Sequence, residues 1–300
     1  MKGHFAFFLT WVVLLDFLSL CISFHLHNHK RVHVALAQHS SLPFIARSRP
    51  IGVSLNLHMS VGNGGLLRTA LKVSNLDKSV SFYTSCLGMK VISNDGNKKC
   101  ARLGYKDDTD TGIDLVEDPN GFQLGDAFLG FGISRVEAAS VFSSASTSGG
   151  KIVTDISDFA YAASQIPDED EMKTTPVRYG RINDPDGYTI EVHEGNSDGF
   201  MKSRLKVLDL EESIGYYEKM GCKLLRKRSN VMGVPKEASL CAFVGGESEN
   251  EPYIELVYPY ATTKLDMGNG LIELAIKGDT STSGGEKTNT DPNGYSIQFS

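Results

Sequence analysis

A repeat at a constant offset constrains the fold of this chain more than any other feature. The segment LKVSNLDKSVSFY, which begins at Leu71, returns as LKVLDLEESIGYY from Leu205, 134 residues later. Six positions of the two segments are identical, and a seventh has Val80 in one copy and Ile214 in the other. Agreement at one constant spacing indicates that a structural module has been duplicated. We therefore expect two related halves.

A turn followed by a strand is also repeated. DPDGYTIEVHE begins at Asp184, and DPNGYSIQFS begins at Asp291. Pro and Gly favour a tight turn, and the alternating residues after it predict a strand with Glu191 and His193 on one face. The second copy has Gln298 where the first has Glu191. The two turns are only 107 residues apart, so the last unit is about 27 residues shorter than the repeat predicts.

Hydrophobic periodicity between the repeats predicts a strand, a helix and three further strands in each unit. The fold class is therefore α+β, with tandem βαβββ units of which the last is truncated. We assign a leader to 1–58, a first domain to 66–196 and an incomplete second domain to 200–300. The truncated unit lacks a helix to cover one face of its strands, which predicts a homodimer or a marginally stable C-terminal half.

The first 58 residues differ in composition from the rest. Phe5 to Phe24 are almost all apolar, and the following stretch to His58 has basic residues but no acidic ones. This order predicts a signal followed by a transit peptide, as used for plastids; a secretory signal anchor and a mitochondrial presequence are the alternatives. Seven of the eight histidines also lie here, and the HLHNH tract is either a metal tract or incidental.

The remainder of the chain is acidic. The whole sequence has 30 basic and 36 acidic side chains, of which the leader holds five and one. This balance argues against a nucleic-acid partner and is typical of a soluble mature protein. The five cysteines show no CxxC spacing, so we interpret the last four as buried reduced thiols.

The motifs LKVxxLxxS, GCKLLRKRSN, YIELVYPY and DPDGYTIEV resemble those of the glyoxalase I family, within the vicinal-oxygen-chelate superfamily. The likeness covers about 66–300 and is closest to two-domain plant-type members. It implies cups that bind a divalent metal such as Zn, Ni or Mg. It also implies methylglyoxal detoxification, in which a lactoylglutathione lyase isomerises the hemithioacetal of methylglyoxal and glutathione. The metal would stabilise an enediolate while a glutamate moves a proton.

The resemblance implies two ligands from each of two units, with one unit from each half in each cup. One cup would hold Lys202, Glu255, Gly130 and Glu191, and the other Arg68, Asp114, Glu273 and Gln298. Neither set is the usual one, so a cup without metal, in which Lys202 neutralises the two glutamates, is the alternative. Glu191 and Glu255 are the candidate catalytic residues. Glu191, Glu255, Asp114 and Glu273 are the candidate metal ligands, and His193 is either a substitute ligand or a rim histidine.

Candidate substrate contacts are cationic. Lys72 and Lys206 stand where the family has an arginine that contacts glutathione, and Lys202 is a third candidate. The run from Arg226 to Arg228 either meets an anion or is solvated. Two functions remain open: a lactoylglutathione lyase, and a non-catalytic relative that binds a small ligand or a protein. A metal-dependent dioxygenase is a weaker third possibility.

Overall fold

The structure is a computed structural model that describes residues 64–106, 111–160, 164–165, 176–230, 238–260, 262–277 and 287–299. The leader, with the signal, transit and histidine-tract expectations, lies outside these residues. In the part of the chain that the structure describes, no helix is long and apolar enough to cross a membrane.

The chain forms four successive units. The first contains β1 (Leu66–Val73), α1 (Leu76–Ser85), β2 (Lys90–Asp95), β3 (Cys100–Gly104) and β4 (Gly112–Glu117). The second contains β5 (Phe128–Arg135), α2 (Ala138–Ala145), β6 (Lys151–Ala160), β7 (Ser164–Gln165), β8 (Pro176–Asn183) and β9 (Thr189–Glu194). The third contains β10 (Gly199–Lys206), α3 (Leu210–Lys219), β11 (Lys223–Asn230), β12 (Ser239–Gly245) and β13 (Tyr253–Pro259). The fourth contains β14 (Leu271–Ile276), β15 (Lys287–Thr290) and β16 (Ser296–Phe299).

The units combine into two sheets. The seven-stranded sheet has the order β15-β16-β14-β1-β4-β3-β2, and the nine-stranded sheet has the order β6-β8-β9-β5-β10-β13-β12-β11-β7. The first unit therefore pairs with the fourth, and the second with the third. The hydroxyls of Thr69 in β1 and Ser203 in β10 form a buried hydrogen bond that links the sheets. Each sheet thus takes strands from both the 66–196 and the 200–300 span.

Helices α1 and α3 begin in the same way. The Asn75 side chain accepts a hydrogen bond from the backbone N–H of Lys78 at 2.8 Å. The Asp209 side chain accepts one from the backbone N–H of Glu212 at 2.9 Å. Both residue types are preferred N-caps because their short side chains reach the unpaired N–H groups of the first turn. The repeat read in the sequence is therefore also a repeat of local hydrogen bonding.

The two D-P-x-G turns are bonded to helices. The Tyr83 hydroxyl of α1 donates to Asp184 at 2.8 Å, and the Tyr217 hydroxyl of α3 donates to Asp291 at 3.2 Å. Both aspartates are buried. Each turn is thereby fixed where β9 or β16 begins, so Glu191 in β9 has a defined position.

The outward face of the fourth unit is covered. Leu274, Ile276 and Ile297 alternate with the inward positions of β14 and β16, and each is 0% exposed. The expectation that this face lacks cover is therefore wrong, because these apolar side chains are buried within the chain. The homodimer remains a prediction, but it no longer has the support of an uncovered face in the fourth unit.

Candidate functional site

Strand register places the two predicted glutamates on one face of the nine-stranded sheet. Glu191 in β9 lies opposite Gly132 in β5, and Gly132 lies opposite Lys202 in β10. Arg204 in β10 lies opposite Glu255 in β13. Because alternate strand residues share a face, all four charged side chains point inward together.

Two cations each contact both glutamates. The Lys202 amino nitrogen is 2.9 Å from Oε2 of Glu191 and 2.7 Å from Oε2 of Glu255. The Arg204 guanidinium is 2.9 Å from Oε1 of Glu191 and 3.1 Å from Oε2 of Glu255. The two carboxylates are thus joined by two cationic bridges.

Two further arginines flank the bridges. Arg181 of β8 lies 3.1 Å from Oε1 of Glu191, and Arg228 of β11 lies 2.9 Å from Oε1 of Glu255. We call these two arginines, together with Glu191, Glu255, Lys202 and Arg204, the bridged cluster. Its side chains are buried except that of Arg181, which is 25% exposed. Buried charges persist only when paired and hydrogen-bonded, and here every carboxylate oxygen has a cationic donor.

The cations determine the ionisation of the cluster. Burial alone would raise the pKa of Glu191, but Arg204 and Lys202 outweigh it and hold that pKa well below its usual range. Glu255 behaves likewise, since Lys202 and Arg204 outweigh burial and lower its pKa. Burial opposes the charged form of Lys202, yet the two glutamates raise its pKa. The cluster is therefore fully ionised at neutral pH.

His193 lies inside the cup. The residue is 7% exposed, and its Nε2 is 3.3 Å from Oε2 of Glu191. Its ring stacks on that of Tyr179, with 5.1 Å between the ring centroids. The interpretation as a rim or surface histidine is wrong, because the imidazole is buried against the Tyr179 ring and the Glu191 carboxylate. Burial lowers the pKa of His193, so its imidazole is neutral at neutral pH.

Three arginines of the cluster were not among the site residues predicted from the sequence. Arg204 follows Lys202 by two residues, and that spacing alone predicts a shared strand face. The position of Arg181 could be predicted only from the pairing of β8 with β9, which places it opposite Glu191 and which no local sequence pattern indicates. Arg228 belongs to the charge run whose solvated alternative is wrong at this position, because the residue is 7% exposed and paired with Glu255.

The seven-stranded sheet carries the other predicted set. Asp114 accepts from Arg68 at 3.2 Å and from Arg102 at 2.7 Å, and its side chain is 26% exposed. Glu273 and Gln298 lie on the same face by register. The structure therefore places Asp114 and Glu273 on one face, on either side of Ala70, and in a different sheet from Glu191 and Glu255.

The two lysines predicted to contact substrate form ion pairs. The Lys72 amino nitrogen is 2.8 Å from Asp118, and the Lys206 amino nitrogen is 2.8 Å from Asp126. A carboxylate of a ligand would have to compete with these aspartates. Only the lysines occupy equivalent positions in the two halves, since Asp118 follows β4 and Asp126 precedes β5.

The residues of the cup do not fit a divalent metal. A lysine ammonium has no lone pair to donate, and Lys202 stands at one ligand position. Gly130, at another, has φ +98°, and a Cβ there would lie 1.9 Å from the Thr189 carbonyl oxygen. Within the described ranges, no group of three or more His, Cys, Asp or Glu side chains is arranged to hold a metal ion.

Comparison with known proteins identifies the family. The profile described as "Glyoxalase/Bleomycin resistance protein/Dioxygenase superfamily" matches residues 65–192. The lactoylglutathione lyase of Neisseria meningitidis is 31% identical over 133 residues, which are 42% of this chain and 87% of that protein. The chain therefore belongs to the glyoxalase/bleomycin resistance protein/dioxygenase superfamily. It is a glyoxalase I-like member, as the motifs indicated.

Plant proteins match over more of the chain. A probable chloroplastic lactoylglutathione lyase of Arabidopsis thaliana is 30% identical over 225 residues, which are 71% of this chain and 59% of that protein. The chain thus spans less than two thirds of that relative. Glyoxalase I of Zea mays is similar in structure, with a TM-score of 0.61 and 23% identity over 79% of this chain and 92% of that chain. The predicted α+β fold of tandem βαβββ units is confirmed.

Proposed function

We propose that this protein is a lactoylglutathione lyase-type isomerase that acts on the hemithioacetal of methylglyoxal and glutathione. The names of the relatives support the reaction class. The observation that carries the proposal is that Glu191 and Glu255 share one buried cup and contact the same Lys202 ammonium. Two carboxylates beside one proton donor are the groups that proton transfer between adjacent carbons requires.

The chemistry follows from the bridges. In the free cluster the glutamates are weak bases, because cations hold the pKa values of both down. Substrate oxygens that accept hydrogen bonds from Lys202 and Arg204 would release a carboxylate from its partners. Its pKa would then rise, which makes it a competent base for a substrate C–H, while the two cations stabilise the charge that develops on oxygen.

The test is an isomerase assay with matched variants. We expect the full chain to convert the hemithioacetal to the lactoylglutathione thioester, with activity unchanged by a chelator. Glu191→Gln and Glu255→Gln keep shape but remove a base, and each should lower kcat by at least about 100-fold. Full activity in the double variant would remove this cup from consideration.

A non-catalytic ligand-binding protein is the second candidate. It is favoured by one observation: the carboxylates are at most 2% exposed and every one of their oxygens is already bonded to a cation. Binding of an S-substituted glutathione without any turnover of the hemithioacetal would favour this candidate. Turnover that is lost in Glu191→Gln would exclude it.

The remaining assignments concern the whole protein. We propose that residues 1–58 direct the protein to a plastid, because the composition fits and one relative is named chloroplastic. A fluorescent fusion of this segment tests the proposal against the secretory and mitochondrial alternatives.

We also propose that 66–196 and 200–300 are the two duplicated domains, with a glutathione adduct as the small-molecule partner. Light scattering tests the homodimer.

A further inference from the structure

A lysine fills the centre of the bridged cluster. The Lys202 amino nitrogen lies within hydrogen-bond distance of both Glu191 and Glu255, and the side chain is 1% exposed. An ammonium in this position donates to both carboxylates and supplies positive charge between them. Without it, two buried carboxylates would repel each other.

The neighbouring strand is shaped for this lysine. Gly132 lies opposite Lys202, and a Cβ at Gly132 would lie 2.8 Å from both Cγ and Cε of the lysine. In the seven-stranded sheet the equivalent pair is Ala275 opposite Arg68, where a methyl group is present. The glycine therefore makes room for the lysine stem that reaches the glutamates.

A replacement ligand cannot come from the same strand. Gly130 has φ +98°, and a side chain there would meet the backbone of Thr189. The resemblance to the glyoxalase I family expects a histidine at this position. The backbone geometry of β5 therefore excludes the nitrogen donor that the family would use.

Charge also opposes a metal ion. Four cations, Arg181, Lys202, Arg204 and Arg228, already surround two carboxylates. A divalent cation placed among them would be repelled at short range in a medium of low dielectric constant. The cup thus has its positive charge supplied by the chain.

We infer that the Lys202 ammonium occupies the place of a divalent cation, so that this cup works without metal and accepts one only when that ammonium is removed. The inference concerns the same cup as the proposed function, and it therefore rests on that function. Its test reads metal content and melting temperature, so it can fail while the proposed isomerase activity holds, and the reverse.

The experiment compares the full chain with Lys202→Ala after dialysis against a chelator. Each protein is then exposed to Mg²⁺, Mn²⁺, Ni²⁺ or Zn²⁺, and bound metal and the melting temperature are measured. Lys206→Ala is the matched control, because Lys206 pairs with the single carboxylate of Asp126. It removes a lysine ion pair from the same strand without opening a site between two carboxylates.

We expect the wild type to bind no stoichiometric metal and to melt at the same temperature with or without it. Lys202→Ala should melt roughly 10 °C lower without metal and recover part of that loss on binding one divalent ion. Lys206→Ala should show neither effect. One equivalent of metal in the wild type, lost in Glu191→Gln, would overturn the inference.

A second variant covers the case in which Lys202→Ala does not fold. Lys202→Gln keeps most of the side-chain volume and removes the charge. Its melting temperature should also rise with a divalent ion. If neither variant gains metal affinity over the wild type, the inference is wrong.

Discussion

The inward-facing residues of the two sheets occupy equivalent strand positions, but their charged side chains are paired in different ways. In β10 the inward residues are Lys202 and Arg204, whereas the equivalent residues of β1 are Arg68 and Ala70. Arg204 contacts both glutamates of its sheet. Ala70 has no charge with which to do the same for Asp114. One face is therefore closed by double bridges, and the other has a partly exposed carboxylate that pairs with Arg68 and Arg102.

The acidic residues of the two faces differ accordingly. The Glu255 side chain is 0% exposed, while that of Asp114 is 26% exposed. At the position of Glu191, the seven-stranded sheet has the uncharged Gln298. A duplicated framework has thus kept its geometry, while only the nine-stranded sheet has carboxylates at both the Glu191 and the Glu255 positions. The proposed chemistry belongs to that sheet.

The largest effect is expected on removing a carboxylate from the closed face. Glu255→Gln leaves Lys202, Arg204 and Arg228 facing a neutral group, and we expect a loss of about 3–5 kcal/mol in the free energy of unfolding. Asp114→Asn should cost about 1 kcal/mol or less, because water reaches that pair. Urea unfolding of both variants at neutral pH measures the difference. Equal losses would mean that the two faces do not differ in energy.

The second prediction concerns the pH dependence of the turn that begins β9. Burial raises the pKa of Asp184 to about 7, and the Tyr83 hydroxyl and two backbone N–H groups only partly oppose this. An unfolded aspartate titrates near 3.9. Between about pH 4 and pH 7 the folded state therefore binds more protons, so the free energy of unfolding falls as pH rises, by roughly 3 kcal/mol in all.

Asp184→Asn should remove this dependence while keeping the hydrogen bonds to the turn. Asp291→Asn is the equivalent variant for the seven-stranded sheet. It should also reduce the fall in the free energy of unfolding with rising pH, because burial raises the pKa of Asp291 as well. Glu191 and Glu255 contribute a slope of the opposite sign, and they do so only at the acidic end of this window. Their pKa values are lowered, so the stability they add is present above about pH 4.5 and is lost in more acidic solution. An unchanged slope in Asp184→Asn would contradict the assignment.

The sequence was sufficient for the parts of the fold that depend on local pattern. The LKV repeat predicted the units, and the Asn75 that caps α1 is of a residue type preferred at that position. Strand alternation predicted that Glu191 and His193 share a face, and the family resemblance placed Glu191 and Glu255 in one cup. Pairing between distant strands could not be read in this way, because it depends on the register of β8 with β9 and of β11 with β12. That is why Arg181 was not predicted, and why Arg228 was not paired with Glu255 in advance.

The smallest predicted effect sharpens the comparison by showing what the two copies still share. Asn75→Ala and Asp209→Ala each remove the side-chain acceptor of a helix N-cap, and each should cost about 1 kcal/mol in the free energy of unfolding. The two bonds are 2.8 and 2.9 Å long and occupy equivalent places. We therefore expect nearly equal losses in urea unfolding, in contrast to the unequal losses at Glu255 and Asp114. A cap effect confined to one half would mean that the two halves differ in helix energetics as well as in the charge of their inward faces.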